Sequence, residues 1–373
     1  MKIGVMTFWF GKENYGMMLQ CWALQQVLKQ MGHSPYIIRF RPANRGKGLL
    51  GFMAYCLREV RGFFSVSKKQ KQIIKKRGFN AFLKKYISVS SRTYDRISEL
   101  KKNPPVADCY IAGSDQIWAQ LLCNIDNRAY FLDFGDKRVK RVAYAPSFAM
   151  KSYPKELKQD LSQLLKNFDS VSCREYDGVD ICLECGVNAE KVIDPTMLID
   201  KDVYMSLLSN SVQSKKTVFI YSLNIKEPED IRWNELKTYA TEKSLSFVVT
   251  PSNGYFKGNE LFEGVSYSYA TVPEWLENIY TSKIVVTPSF HGIVFSIILE
   301  RDFVFVPLKG KCAKGNNRIY DLLKDLKLEN RILNDTTTYE KILHTPINWE
   351  EVRSLLGQMK NSSLRFLENS LNI

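Results

Sequence analysis

The order of apolar and amphipathic runs predicts two doubly wound α/β domains facing one another. Three observations lead there. The run KIGVMTF (2–8), a helical pattern over Asn14–Met31 and the run PYIIRF (35–40) give a β-α-β unit within the opening of the chain, which calls for a parallel sheet. Strand and helix patterns go on alternating on both sides of residue 165. The chain has 373 residues, 45% of them apolar, enough for two cores by a soft prior of about 150 residues per domain. The expected division is 1–165, with a basic helical insertion at 45–100, then 166–345, then a C-terminal helix over 346–373.

Each element follows from its residues. In 14–31, Met18, Leu19, Trp22, Ala23, Gln26, Val27 and Gln30 recur at helical spacing and Gly32 stops the run. ADCYIAG (107–113) and RVAYAPSF (141–148) read as strands, 154–166 as a helix and SVSCRE (170–175) as a strand. The pattern then restarts with strands at KVIDP (191–195) and TVFIYSL (217–223). A helix is expected over 228–244, with Pro228 in its first turn and acids early. SFVVTP (246–251), KIVVTP (283–288) and FVFVPL (303–308) read as strands. Helices are expected over 272–282, 289–300, 317–328 and 349–371. Ligands of open α/β sheets bind beyond the carboxyl ends of strands, which directs attention to the loops that follow each strand.

Composition narrows the class. No run reaches the roughly 20 apolar residues of a membrane-spanning helix. The opening residues read as a first strand rather than a signal peptide, so a cytoplasmic chain is expected. The eight Cys mostly sit in apolar runs and read as reduced core thiols. The isolated pair Cys182 and Cys185 lacks the partners a zinc site needs, and no metal is expected. The net charge of +14 is concentrated: between Arg45 and Lys85 stand twelve Lys and Arg against Glu59 alone. This argues against a nucleic-acid partner for the whole chain and for one basic element. That element reads as surface helices with a solvated basic face, or as a contact with an anionic membrane through 45–86.

Familiar nucleotide motifs are absent. Gly46–Gly51 matches GxGxxG in form but does not abut a strand, and no acid follows at the needed distance. Neither GxxxxGK[ST] nor GxSxG occurs. What stands out is at strand ends. His291 lies in TPSFHG, where an apolar strand hands over to an apolar helix. A helix start offers free N–H groups suited to an anion, and Gly292 permits close backbone approach. A lone histidine there is equally compatible with a buried, satisfied ring. Arg174 and Glu175 end another strand, and Arg174 is a fork for phosphate or carboxylate. Asn316, Asn317 and Arg318 open a helix after the basic loop KGKCAKG, a second possible anion site.

Four blocks together resemble the polysaccharide pyruvyl transferase family: Asn14-Tyr15-Gly16 with LQCWALQ; AGSDQIW (112–118); VSCRE (171–175) continuing to Ile193-Asp194-Pro195-Thr196; and VTPSFHG (286–292). A weaker fifth is Asn317-Arg318-Ile319. They occur in the family's order from residue 2 to about 330, while 45–100 and the last thirty residues resemble nothing placed. The resemblance implies two Rossmann-like domains with a cleft between, similar to GT-B glycosyltransferases. It implies transfer of pyruvate from phosphoenolpyruvate, used as substrate without a cofactor, onto two hydroxyls of one sugar to form a ketal, in capsule or exopolysaccharide synthesis.

The resemblance also implies roles for residues. His291 and Arg174 would contact phosphoenolpyruvate, with Ser289, Phe290, Gly292 and Arg318 beside it. Members often carry Arg two residues before the His; here that position is Ser289, so the missing clamp falls to Arg318 or Lys314. A protonated His291 beside phosphate would be the general acid. Asp115 is a candidate for binding the acceptor hydroxyls or taking a proton, or else a turn cap. Asn14, Tyr15 and Ser114 would face the acceptor, with Tyr15 stacked on a sugar ring. The acceptor is expected to be a sugar or a lipid-linked oligosaccharide at the inner face of the membrane. The competing readings are a GT-B-type glycosyltransferase using a nucleotide sugar, and a non-catalytic family member.

Overall fold

The computed structural model describes residues 1–10, 14–42, 68–122, 124–209, 213–251 and 260–372. The strands of the first sheet are β1 (Lys2–Met6), β2 (Ser34–Phe40), β3 (Val89–Tyr94), β4 (Cys109–Ala112), β5 (Lys140–Ala143), β6 (Ser170–Cys173) and β7 (Glu190–Lys191). They lie in the order β3-β2-β1-β4-β5-β6-β7. The second sheet holds β8 (Thr217–Ser222), β9 (Ser246–Pro251), β10 (Ser266–Tyr267), β11 (Ile284–Thr287) and β12 (Asp302–Phe305), in the order β10-β9-β8-β11-β12. Every strand pairing is parallel. β4, β8 and β11 are buried at every position, as continuous apolar strands covered on both faces must be. The strand order reverses beside β1 in one sheet and beside β8 in the other, and such switch points are where open α/β sheets bind ligands. The fold is therefore two Rossmann-like domains.

Helix α1 (Tyr15–Gln30) explains how the domains meet. Asn14 caps it, its side chain accepting from Met17 N at 3.1 Å. The helix is buried on nearly all sides, Gln20 and Gln25 included. It packs on its own sheet and also on α9 (Val272–Thr281) and α10 (Phe290–Ile298) of the second domain. Tyr15 stacks on Trp275 at 5.1 Å and 5° and meets Tyr221 edge-on at 5.7 Å. Its hydroxyl donates to Ala270 O at 2.7 Å.

Several expectations are corrected. β6 and β7 belong to the first sheet, so the domains change over between residues 191 and 217 rather than at 165. The C-terminal helix, numbered α13 (Trp349–Leu371), is not a separate unit. Its Ser363 hydroxyl accepts from Ile193 N at 3.1 Å, and Phe366 packs 6.3 Å from Tyr144. The strand expected over 191–195 ends at Lys191 because Asp194 caps a 3-10 turn, Pro195–Leu198, by accepting from Thr196 N. The helix expected over 228–244 breaks at Arg232, whose φ is 50°, into a 3-10 turn and α8 (Trp233–Glu242). β3, a polar edge strand, has no apolar alternation to mark it in the sequence.

The first part of the expected insertion, 45–67, lies outside the described residues. Its described part opens with α2 (Lys68–Arg77) and α3 (Phe79–Tyr86), but from Val89 the chain is β3 of the first sheet, so the helical insertion does not extend to residue 100. Lys71, Lys75, Lys76, Lys84 and Lys85 are exposed. Arg77 is not part of that solvated face. It is fully buried, its guanidinium donates to Pro251 O, and it lies 5.8 Å from the Tyr15 ring. Phe79 and Phe82 likewise enter the core.

Candidate active site

Strand ends from both sheets line one cleft of about 660 Å³, within the range of ligand pockets. Asn14, Asp115, Gln116 and Ala149 border it from the first domain; Asn224, Ser289, Phe290, His291 and Arg318 border it from the second. Three non-glycine residues on its wall have positive φ: Asp115 (89°), Ala149 (51°) and Asn224 (61°). Such strain clusters at functional sites because the surrounding structure must hold it.

His291 sits one residue into α10, whose cap is Ser289. The Ser289 hydroxyl accepts from Gly292 N at 3.3 Å. A Cβ at Gly292 would stand 2.7 Å from Thr287 Cγ2, so this glycine lets the helix start close to its own strand rather than facing a ligand. A Cβ at Gly16 would stand 2.0 Å from His291 Nδ1. The imidazole of the second domain therefore rests directly on the first turn of α1. Nε2 lies 3.6 Å from Asp194 Oδ2 and makes no hydrogen bond among the described residues.

Asp194 joins the site together. It is buried, and its carboxylate accepts from Arg174 Nη1 at 2.8 Å, from Ser114 Oγ at 2.8 Å and from Thr196 Oγ1 at 2.7 Å. Burial alone would raise its carboxyl, but His291, Arg174 and Thr196 outweigh that and hold it well below the usual carboxylate range. Glu175, also buried, accepts from Phe148 N at 2.9 Å and Ala149 N at 3.3 Å, so it fixes the strained loop on the cleft wall.

Two arginines complete the arrangement. Arg174 comes from the end of β6, so it belongs to the first domain and not to the second. Arg318 opens α11 (Asn317–Asp325). Their guanidiniums lie over the Phe290 ring at 4.5 Å and 5.2 Å. Burial, and then the charge of Arg174, push Arg318 down to about 10. The Gln116 carboxamide oxygen, in the orientation that satisfies both groups, faces the Arg318 fork at 2.7 Å and 3.1 Å. Arg174 Nε, Arg174 Nη2 and Arg318 Nε are buried with no hydrogen-bond partner among the described residues. Buried polar groups are almost always satisfied, and guanidinium N–H groups pair best with oxyanions. These residues therefore fit a small anion with phosphate or carboxylate groups.

His291, Arg174, Arg318, Phe290, Ser289, Asp115 and Asn14 are thus brought together. Tyr15 and Ser114 are not acceptor contacts. Tyr15 is fully buried in the interdomain aromatic seam, and Ser114 spends its hydroxyl on Asp194. The Lys314 side chain lies outside what the structure describes. Asp194, Gln116 and Gly16 had no role from sequence. Each sits in a quoted motif, but its partner lies on another strand or in the other domain.

A fold of this architecture with a cleft at facing strand ends defines a GT-B-like protein. Two solved structures agree at the level of fold. A protein assigned as a UDP-N-acetylglucosamine 2-epimerase from Listeria monocytogenes has a TM-score of 0.52 at 8% identity, covering 98% of this chain and 90% of its own. The S. aureus MnaA–UDP structure has a TM-score of 0.52 at 10% identity, covering 96% and 90%. No curated protein matches the sequence. The family model of polysaccharide pyruvyl transferases matches residues 14–310, and the chain belongs to that family.

Proposed function

We propose that this chain transfers pyruvate from phosphoenolpyruvate to two hydroxyls of a sugar, forming a cyclic ketal and releasing phosphate. The observation that carries the reading is the convergence of His291 with two guanidiniums, of which Arg174 Nε, Arg174 Nη2 and Arg318 Nε are buried with no hydrogen-bond partner among the described residues. Arg174 and Arg318 hold the anionic groups of the donor. His291 Nε2 carries a proton to the methylene carbon, which leaves C2 electron-poor. One sugar hydroxyl attacks C2 and gives its proton to Asp115. The C2–O bond to phosphate then breaks, and the second hydroxyl closes the ketal and passes its proton to the emptied imidazole. Acid catalysis of this kind contributes roughly 10²–10⁴-fold.

The test is phosphate release from phosphoenolpyruvate against a panel of galactosides, glucosides and mannosides on lipid-like aglycones. Acceptor-dependent release is expected, and His291→Ala should abolish it. Phosphoenolpyruvate should also raise the melting temperature; ligand at 100 times its Kd stabilises by about 2.7 kcal/mol. No release and no thermal shift, with a shift from nucleotide sugars instead, would sink the reading.

The acceptor in this reading is a lipid-linked sugar of capsule or exopolysaccharide synthesis, met at the inner face of the membrane. No helix among the described residues is long and apolar enough to cross a membrane. The exposed lysines of α2 and α3 would meet anionic headgroups, each contributing about 1 kcal/mol. Removing 45–86 would also remove Arg77, Phe79 and Phe82 from the core, so charge reversal is the cleaner variant. Changing Lys71, Lys75, Lys76, Lys84 and Lys85 to Glu should abolish co-sedimentation with phosphatidylserine vesicles. Unchanged sedimentation would rule out this surface.

A further inference from the structure

Phe290 stands between the cleft and a second, much smaller space. That inner cavity measures about 10 Å³, and Arg174, Asp194, Phe290 and Arg318 are among its lining residues. Phe290 and Arg318 border both spaces, whereas Arg174 borders the inner one and not the cleft. Arg174 has a side-chain exposure of 2%. The inner space matches about one water-sized probe, so no phosphate or carboxylate fits it as it stands. Yet Arg174 Nε and Nη2 are buried donors without a partner among the described residues.

We propose that Phe290 is a gate: its ring closes Arg174 off from the cleft, and an entering oxyanion must turn it aside to reach that guanidinium. This rests on the anion site proposed above and adds how that site opens. The closed state is held by the cation–π contacts of both arginines with the ring. A charge-assisted bond from guanidinium to oxyanion is stronger than either contact, so the exchange favours opening only when an anion is at hand. The movement is a side-chain rotation. The backbone at Phe290 is fixed by the Ser289 cap on Gly292 N and by Ile293 N donating to Ser289 O at 3.0 Å. Phe290 also meets the His291 ring edge-on at 5.2 Å. Turning the gate therefore changes the packing of the proposed acid, so the acid is seated for chemistry only when the donor is bound.

The test is arginine modification by 2,3-butanedione, read residue by residue by peptide mass spectrometry on the full chain. It needs neither donor nor acceptor, so its outcome is separate from that of the phosphate-release assay. Arg174 should label at least tenfold more slowly than exposed Arg138 in the wild type. Phe290→Ala should speed Arg174 labelling at least tenfold. Arg331, which is fully buried and bonded to Ile342 O at 3.1 Å, should not change in either protein and reports that the fold is intact. If Phe290→Ala raises Arg331 labelling, Phe290→Leu is judged by the same criterion. Equal Arg174 labelling in wild type and an intact variant overturns the gate, even if phosphate release is found as expected.

Discussion

At Gly16 one added methyl group decides where an imidazole in the other domain can sit. Helix propensity alone favours Ala over Gly by about 1 kcal/mol, so Gly16→Ala should melt no lower than wild type by that criterion. The 2.0 Å approach to His291 Nδ1 instead predicts a displaced ring and at least a hundredfold loss of phosphate release, within the range of general acid catalysis. Activity near wild type would show that the ring tolerates the shift. Asp194 carries the second residue-scale prediction. Asp194→Asn leaves Arg174 buried without its counter-charge, a loss of about 3–5 kcal/mol in urea unfolding at neutral pH. Because the fold depresses the Asp194 carboxyl, its contribution is present above the ordinary carboxylate value near 4 and fades as pH falls below it. The gap between wild type and variant should therefore narrow on acidification from pH 5 to 3. A gap that stays constant would assign the loss to geometry rather than charge.

Among the elements, those with a strong apolar period were legible. The strand over 246–251 and the helix over 349–371 have the bounds their residues predict, because periodicity and caps are local. β3 was not legible, since an edge strand of VSSRTY is shaped by pairing with β2 and not by its own pattern. The break at Arg232 was hidden for a related reason: Glu227 and Asp230 cap each other in a separate turn. In the site, His291, Arg174 and Arg318 could be read because their residue types announce anion chemistry. Asp194 could not, since its partners Ser114 and Arg174 stand 80 and 20 positions away in sequence. The helix over 14–31 is legible, but the side Tyr15 faces is not, because its partner Trp275 stands on α9 of the other domain. Tyr15→Phe removes its bond to Ala270 O and should lower unfolding free energy by about 1 kcal/mol. Because the ring stays in the seam, acceptor KM should not change; a raised KM would return Tyr15 to the acceptor side.

Across the whole molecule, each sheet has an apolar cluster of its own and a third cluster joins the two. A single apolar cluster contains Ile3 and Val5 of β1, Phe219 and Tyr221 of β8, and Phe366 and Leu367 of α13. Interfaces between independent domains are usually smaller and more polar than this. The active-site groups are split across the same seam, with Asp194, Arg174 and Gly16 on one side and His291, Phe290 and Arg318 on the other. Neither side holds a complete site. The return of α13 to the first domain ties the far end of the chain to its beginning. The consequence is thermodynamic cooperativity. Calorimetry should show one endotherm for the entire chain, with equal van't Hoff and calorimetric enthalpies, where two weakly joined domains would give two. A substitution in the second sheet should then shift the melting of the first by the same number of degrees.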